Sequence, residues 1–180
     1  MNELIVAGYP SPHAALLAES TLSRLQTELS ISFSDVAVLS RLAEDQTTIR
    51  ESIRLNKKNG GDRGFWKRFA GLLFPSQDET VELNSIQAML NSIGIDETAQ
   101  KRIEEALPMG STGVLVLTSD RSGERVEGML SGFQGTVLRI RLLDEDPRLK
   151  LQESPSRKST RTRFAAESSA DRQGHRSNHG

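Results

Sequence analysis

The chain has 180 residues, 36% hydrophobic and 4% aromatic, with a formal net charge of −1 at pH 7. That length suits one ordinary domain with an aliphatic core, and the near-neutral charge argues against a dedicated nucleic-acid binder. The absence of cysteine excludes disulfides and thiolate chemistry, and with neither a signal peptide nor an apolar run of about 18 residues we expect a cytoplasmic protein.

The first predicted elements are short apolar runs separated by one amphipathic stretch. Leu4–Ala7 is wholly apolar and is typical of a buried strand, and Ser11 followed by proline predicts a helix start. Apolar residues at helical spacing continue to Leu29. Val36–Leu39 predicts a second strand, and the alternation in Ile49–Leu55 predicts a third that closes a hairpin.

The second half of the chain predicts three helices and two more strands. Helical spacing over Leu83–Ile93 stops at a glycine, and Asp96 is placed to cap the next helix. Val114–Leu117 is another buried strand, and Ser122–Phe133 reads as a helix with one apolar side. Leu138–Leu142 alternates with arginine, which predicts a strand with one face in the core and one in water.

This order predicts an α+β fold, a ferredoxin-like α/β sandwich with helices on one face of a mixed sheet. Residues 1–147 are expected to form a single domain. An insert at 56–80 interrupts it and carries an amphipathic helix at 64–74. Residues 148–180 are rich in Ser and Arg and are predicted to be a disordered basic tail, because they hold too little apolar surface to offset the entropy of ordering.

Four segments together resemble a known family: LIVAGY, GFWKRFAGLLF, IGIDETAQKRIEEALPMGSTGVLVL and GFQGTVLRIRL. This is an uncharacterised bacterial domain-of-unknown-function family, usually described as predicted membrane proteins and linked with stress proteins. The resemblance covers most of residues 3–143 and implies the fold rather than a catalytic site. Members usually carry a long Gly-rich apolar hairpin after the third strand, and only Gly64 to Pro75 stands in that place here.

Four of the eight aromatic residues fall within ten positions of the insert, and cations flank them. Three of the four, Phe65, Trp66 and Phe69, lie on one side of the predicted helix. A basic, aromatic-rich amphipathic helix is typical of an interfacial membrane anchor that lies on a bilayer without crossing it. The same face could instead pack on the domain, in a homo-oligomer interface, or in a partner's groove. The candidate contact residues are Lys57, Lys58, Arg63, Phe65, Trp66, Lys67, Arg68, Phe69, Leu72 and Leu73.

No catalytic, metal or cofactor site can be assembled from the remaining residues. His13 is expected at a helix surface, and His175 and His179 in the tail would make a poor metal site. The loop Gly60–Gly64 lacks the spacing of a phosphate-binding loop. The basic cluster Arg157–Arg163 could contact phosphates without specificity or simply aid solubility.

The sequence therefore predicts a non-enzymatic α+β module without a cofactor. We expect a homo-oligomer, peripheral to the inner face of the cell membrane, that meets an anionic membrane surface or a protein partner through the basic aromatic helix. Neither specific nucleic-acid binding nor a small-molecule substrate is expected. The alternative is a regulatory module that senses a small ligand, which rests on analogy with other ferredoxin-like sandwiches alone.

Overall fold

The computed structural model describes residues 2–29, 31, 33–43, 46–52, 64–75, 82–143 and 146–152. Five strands and six helices are formed within these ranges. In chain order they are β1 (Asn2–Tyr9), α1 (Pro12–Glu28), β2 (Phe33–Ala43), β3 (Gln46–Glu51), α2 (Phe65–Leu73), α3 (Leu83–Ser92), α4 (Glu97–Ala106), β4 (Thr112–Ser119), α5 (Asp120–Ser131), β5 (Thr136–Arg141) and α6 (Pro147–Gln152). Every predicted element that lies within the described ranges is present.

Two helix starts follow directly from local sequence. The Ser11 hydroxyl accepts a hydrogen bond from the Ala14 amide at 3.3 Å, with Pro12 at the first helical position of α1. The Asp96 carboxylate accepts from the Ala99 amide at 2.7 Å and begins α4. Each side chain satisfies an amide that has no partner within the first turn of a helix. Both predicted caps are confirmed.

The five strands form one sheet in the order β3-β2-β4-β1-β5, and every hydrogen-bonded pair is antiparallel. The α+β prediction is confirmed, and without β3 the order is that of a ferredoxin-like βαββαβ unit. The expected mixed sheet is wrong. Helix α1 carries the chain from β1 to a β2 that runs parallel to it, but β4 lies between these two strands and pairs antiparallel with both.

Helices cover both faces of the sheet, which corrects the expectation of helices on one face. Helices α1 and α5 pack on one face, against residues such as Ile5 and Val116. Helices α2, α3, α4 and α6 pack on the other, against Leu4 and Leu117. Neighbouring residues of one strand thus enter different cores, which explains why the central strands are apolar without alternation.

The ordered domain continues past the expected boundary at residue 147. Helix α6 begins at Pro147, and its Leu151 is 1% exposed in the same core as α2. The first five residues of the predicted tail therefore belong to the domain, because a buried leucine ties them to it. Residues 153–180 lie outside the described part of the chain.

Candidate functional site: the aromatic helix and the basic pole

The aromatic face of α2 lies inside the protein. Phe65, Trp66 and Phe69 are at most 2% exposed, and Leu72 and Leu73 are buried with them. The Trp66 ring meets both phenylalanine rings edge-on, with centroids 5.0 Å from Phe65 and 5.8 Å from Phe69. Edge-to-face pairs at this separation add about 0.5–1.5 kcal/mol each to the burial of the rings. Of the arrangements predicted for this face, the structure has it packed on the domain itself.

Two features set the ends of α2. Gly64 precedes the helix at φ 126°, a backbone conformation that side-chain-bearing residues rarely adopt. After the last turn, the Phe74 amide donates to the Ala70 carbonyl at 2.8 Å, and its ring lies half-buried at the edge of the core. The helix is therefore held in register by a glycine before it and an aromatic side chain after it.

Arg41 of β2 links this end of α2 to α4. Its guanidinium carbon lies 4.2 Å from the centroid of the Phe74 ring, and its Nη1 donates to the Leu107 carbonyl at 2.7 Å. Leu107 is the residue at which α4 ends, where a cation is favoured by the helix dipole. The sequence carried no signal for this role, because the contact joins residues 66 positions apart.

The outer face of α2 is basic. Lys67 and Arg68 are exposed on the side away from the aromatic rings, and α2 packs against α6. On α6, Lys150 adds a third cation, while Arg148 is held at 2.8 Å by Asp146. We call Lys67, Arg68, Lys150 and the Asp146–Arg148 pair the basic pole. Its four basic side chains and one acidic side chain give it a formal charge of +3.

Three of the predicted contact residues, Lys57, Lys58 and Arg63, lie outside the described residues. Their chain connection is nonetheless informative. Arg63 directly precedes Gly64 and α2, and the cluster Arg157–Arg163 follows soon after α6 ends. Each basic segment thus adjoins, in sequence, one of the two helices of the basic pole.

Buried acids are the feature that sequence reasoning missed. Glu3 is 2% exposed on the α1–α5 face, with its Oε1 3.9 Å from Arg141 Nε, and a Cβ on Gly123 would collide with its Oε2. Asp35 is buried as well and accepts from the Val36 amide at 3.0 Å. One weak indication was visible in the sequence. Glu3 lies at the start of an apolar strand and is on the same side of it as Ile5 and Ala7, which face the core.

Local structure shifts the pKa values of Tyr9, Asp146 and Arg50. Burial raises the pKa of Tyr9 to about 12, and its hydroxyl donates to the Leu130 carbonyl at 2.9 Å. The hydrogen bond from Arg148 lowers the pKa of Asp146, and the hydrogen bond to Glu19 raises that of Arg50. Each shift has a structural cause, and none of the three groups lies beside another of them.

The described ranges contain neither a cluster of metal-binding side chains nor a membrane-spanning helix. They hold no group of three or more His, Cys, Asp or Glu side chains arranged to bind a metal ion. His13 is exposed on α1, as predicted. Among the helices described, none is both long and apolar enough to cross a bilayer.

The comparisons with known proteins place the chain in a family without assigning it an activity. No curated protein and no solved structure matches the sequence. A family model described as a protein of unknown function, DUF1269, matches residues 63–154, just over half of the chain. The match begins immediately before α2 and ends after α6, so it spans both helices of the basic pole. The chain belongs to the DUF1269 family.

Proposed function

We propose that this protein is a non-enzymatic binding module that associates peripherally with an anionic membrane surface through the basic pole. The observation that carries the proposal is the orientation of α2: its aromatic rings lie in the core, while Lys67 and Arg68 lie outside. The interaction is therefore one of charge with lipid headgroups. It differs from the expected anchor, in which Trp66 and Phe69 would enter the bilayer.

Electrostatic attraction supports the proposal that the basic pole is the surface that binds the membrane. A cation near an anionic bilayer contributes about 1 kcal/mol, so a single cation binds weakly and several together bind measurably. Lys67, Arg68 and Lys150 lie on two packed helices, α2 and α6. The buried aromatic rings contribute rigidity, because they hold α2 in one orientation on the sheet.

Vesicle co-sedimentation of the full chain tests the proposal. We expect binding to phosphatidylcholine vesicles that contain about a third phosphatidylglycerol at low salt, and its loss at about 0.3 M salt, where the Debye length is below 8 Å. Lys67→Glu with Arg68→Glu should weaken binding at least about tenfold, since both attractions become repulsions. A matched control is Arg121→Glu with Arg125→Glu, which reverses two exposed charges of α5 on the opposite face of the sheet.

Three results would contradict the proposal. The first is equal binding to neutral vesicles, and the second is equal loss of binding in both double variants. Binding to an acidic protein or a nucleic acid without binding to vesicles would assign the basic pole to another class of partner and would also refute it.

A further inference from the structure

We infer that β5 is an interface at which a second copy of this chain adds its own β5, so that two sheets join into one of ten strands. Strand β5 is a sheet edge in the described structure, since it pairs with β1 and with no other described strand. An edge strand offers unpaired amides and carbonyls to an incoming strand. This inference does not depend on the proposed function, because β5 contributes no residue to the basic pole.

The outward-facing backbone groups of β5 can be assigned from one hydrogen bond. The Leu142 amide donates to the Asn2 carbonyl at 2.9 Å, and these two residues continue the register that pairs Leu138 with Val6. Pairs that exchange hydrogen bonds alternate along an antiparallel ladder, so Leu138 directs its backbone toward β1. Val137 and Arg139 therefore direct their amides and carbonyls away from the sheet.

The end of β5 limits where a partner strand can bind. The outward amide of Leu143 donates to the Ile93 carbonyl at 3.2 Å, so the loop after α3 covers this end. Val137 and Arg139 are left as the central outward-facing pair. In a two-fold contact each Val137 would exchange two hydrogen bonds with Arg139 of the other copy, and Leu138 would face its own counterpart at the axis.

Side chains at the edge fit this two-fold register. Val137 and Leu138 are only partly buried, so apolar surface is present on both faces of the edge. Each Arg139 would lie opposite a valine rather than another arginine, which avoids facing like charges. Its Nε is also drawn back to Glu127 Oε2 at 3.2 Å, toward α5 and away from the incoming strand. The β5 edge is thus complementary to the same edge of a second copy.

Single-cysteine crosslinking tests the register, because the natural chain has no cysteine to interfere. Leu138→Cys should oxidise to a disulfide-linked dimer, since directly opposed residues without mutual hydrogen bonds have Cα atoms about 4.5 Å apart, within the range of a disulfide. Thr136→Cys is the matched control. Its two copies would be offset by four residues, about 14 Å along the strand, and should remain monomeric on a non-reducing gel.

Sedimentation velocity of the uncrosslinked full chain gives the second readout. Wild type should dimerise, and Val137→Pro should be monomeric with unchanged circular dichroism, because it removes an amide that points out of the sheet. Thr48→Lys, on the exposed opposite edge strand β3, should dimerise like wild type. A wild-type monomer at about 100 μM, well above the dissociation constant of a standard interface, would overturn the inference, and so would equal crosslinking of the two cysteine variants.

Discussion

The Arg41 guanidinium carbon lies 4.2 Å from the centroid of the Phe74 ring while its Nη1 holds the Leu107 carbonyl at 2.7 Å. One side chain thus joins β2, the end of α2 and the end of α4. We expect Arg41→Leu to lower the free energy of unfolding by about 1–3 kcal/mol, since it removes a charged hydrogen bond and a cation–π contact. Urea denaturation measures this.

The control for Arg41 is Arg24→Leu. Arg24 is 71% exposed and pairs with Glu28 on the same helix, so its loss should change stability by less than about 0.5 kcal/mol. Combining Arg41→Leu with Phe74→Leu should cost less than the sum of the single variants, because the two side chains contact each other. Strict additivity would mean that the ring contact contributes nothing.

Trp66 gives the second prediction. Its indole Nε1 is buried without a hydrogen-bond partner in the described structure, which carries a cost that phenylalanine would relieve. Trp66→Phe should therefore change the unfolding free energy by less than about 1.5 kcal/mol, whereas Trp66→Ala should lower it by about 3–5 kcal/mol through the cavity it leaves. Equal stability of wild type and the alanine variant would show that this side chain is not in the core.

The third prediction concerns Gly123 and Glu3. Replacing this helical glycine with alanine should destabilise the protein, although alanine has the higher helix propensity. Alanine at position 123 of α5 would place its Cβ against Glu3 Oε2, so Gly123→Ala should lower stability by about 1–3 kcal/mol despite its higher helix propensity. In a Glu3→Ala background the same change should be neutral or stabilising. Thermal unfolding of the four proteins checks this, and an equal cost in both backgrounds would place the strain elsewhere.

The fourth prediction is that Tyr9 makes the stability of the protein fall at alkaline pH. Its pKa rises from 10.0 to about 12 on folding. Because the folded value lies above the unfolded one, its contribution to stability is complete below pH 10 and is lost as the pH rises through 12. Tyr9→Phe should remove this part of the decline and also lose the hydrogen bond to Leu130, worth about 1 kcal/mol. Urea denaturation of both proteins at several pH values measures the difference, and parallel curves from pH 9 to 12 would contradict it.

The local sequence correctly predicted features that depend on a single helix or strand. The alternation through Leu138–Leu142 correctly predicted a strand with exposed Arg139 and Arg141, and Asp96 correctly marked the start of α4. The direction of strand pairing could not be predicted in this way. It depends on β4 lying between β1 and β2. Its paired residues are about 80 positions from those of β2 and more than 100 from those of β1, and such distant pairing leaves no periodic signal.

The residues of the site were predicted from the sequence, but the partner of its aromatic face was left open between lipid, another protein chain and the domain itself. Helical periodicity places Phe65, Trp66 and Phe69 on one face whether that face meets lipid or a protein core. The second face of the sheet decides between lipid and protein core. Its apolar residues, such as Leu4 and Leu117, are buried by α2. The cations Lys67 and Arg68 were found by the same pattern, and both are exposed.

Trp66 fluorescence during vesicle binding tests the central claim, that this protein meets the membrane by charge while its aromatic helix stays in the core. It is the only tryptophan, so its emission reports α2 alone. We predict an emission maximum already typical of a buried indole, which stays unchanged when anionic vesicles are added at a concentration that sediments the protein. Acyl chains brominated near the headgroup should leave it unquenched. A blue shift on binding, or quenching by those lipids, would mean that α2 leaves the core and inserts, and would contradict the account.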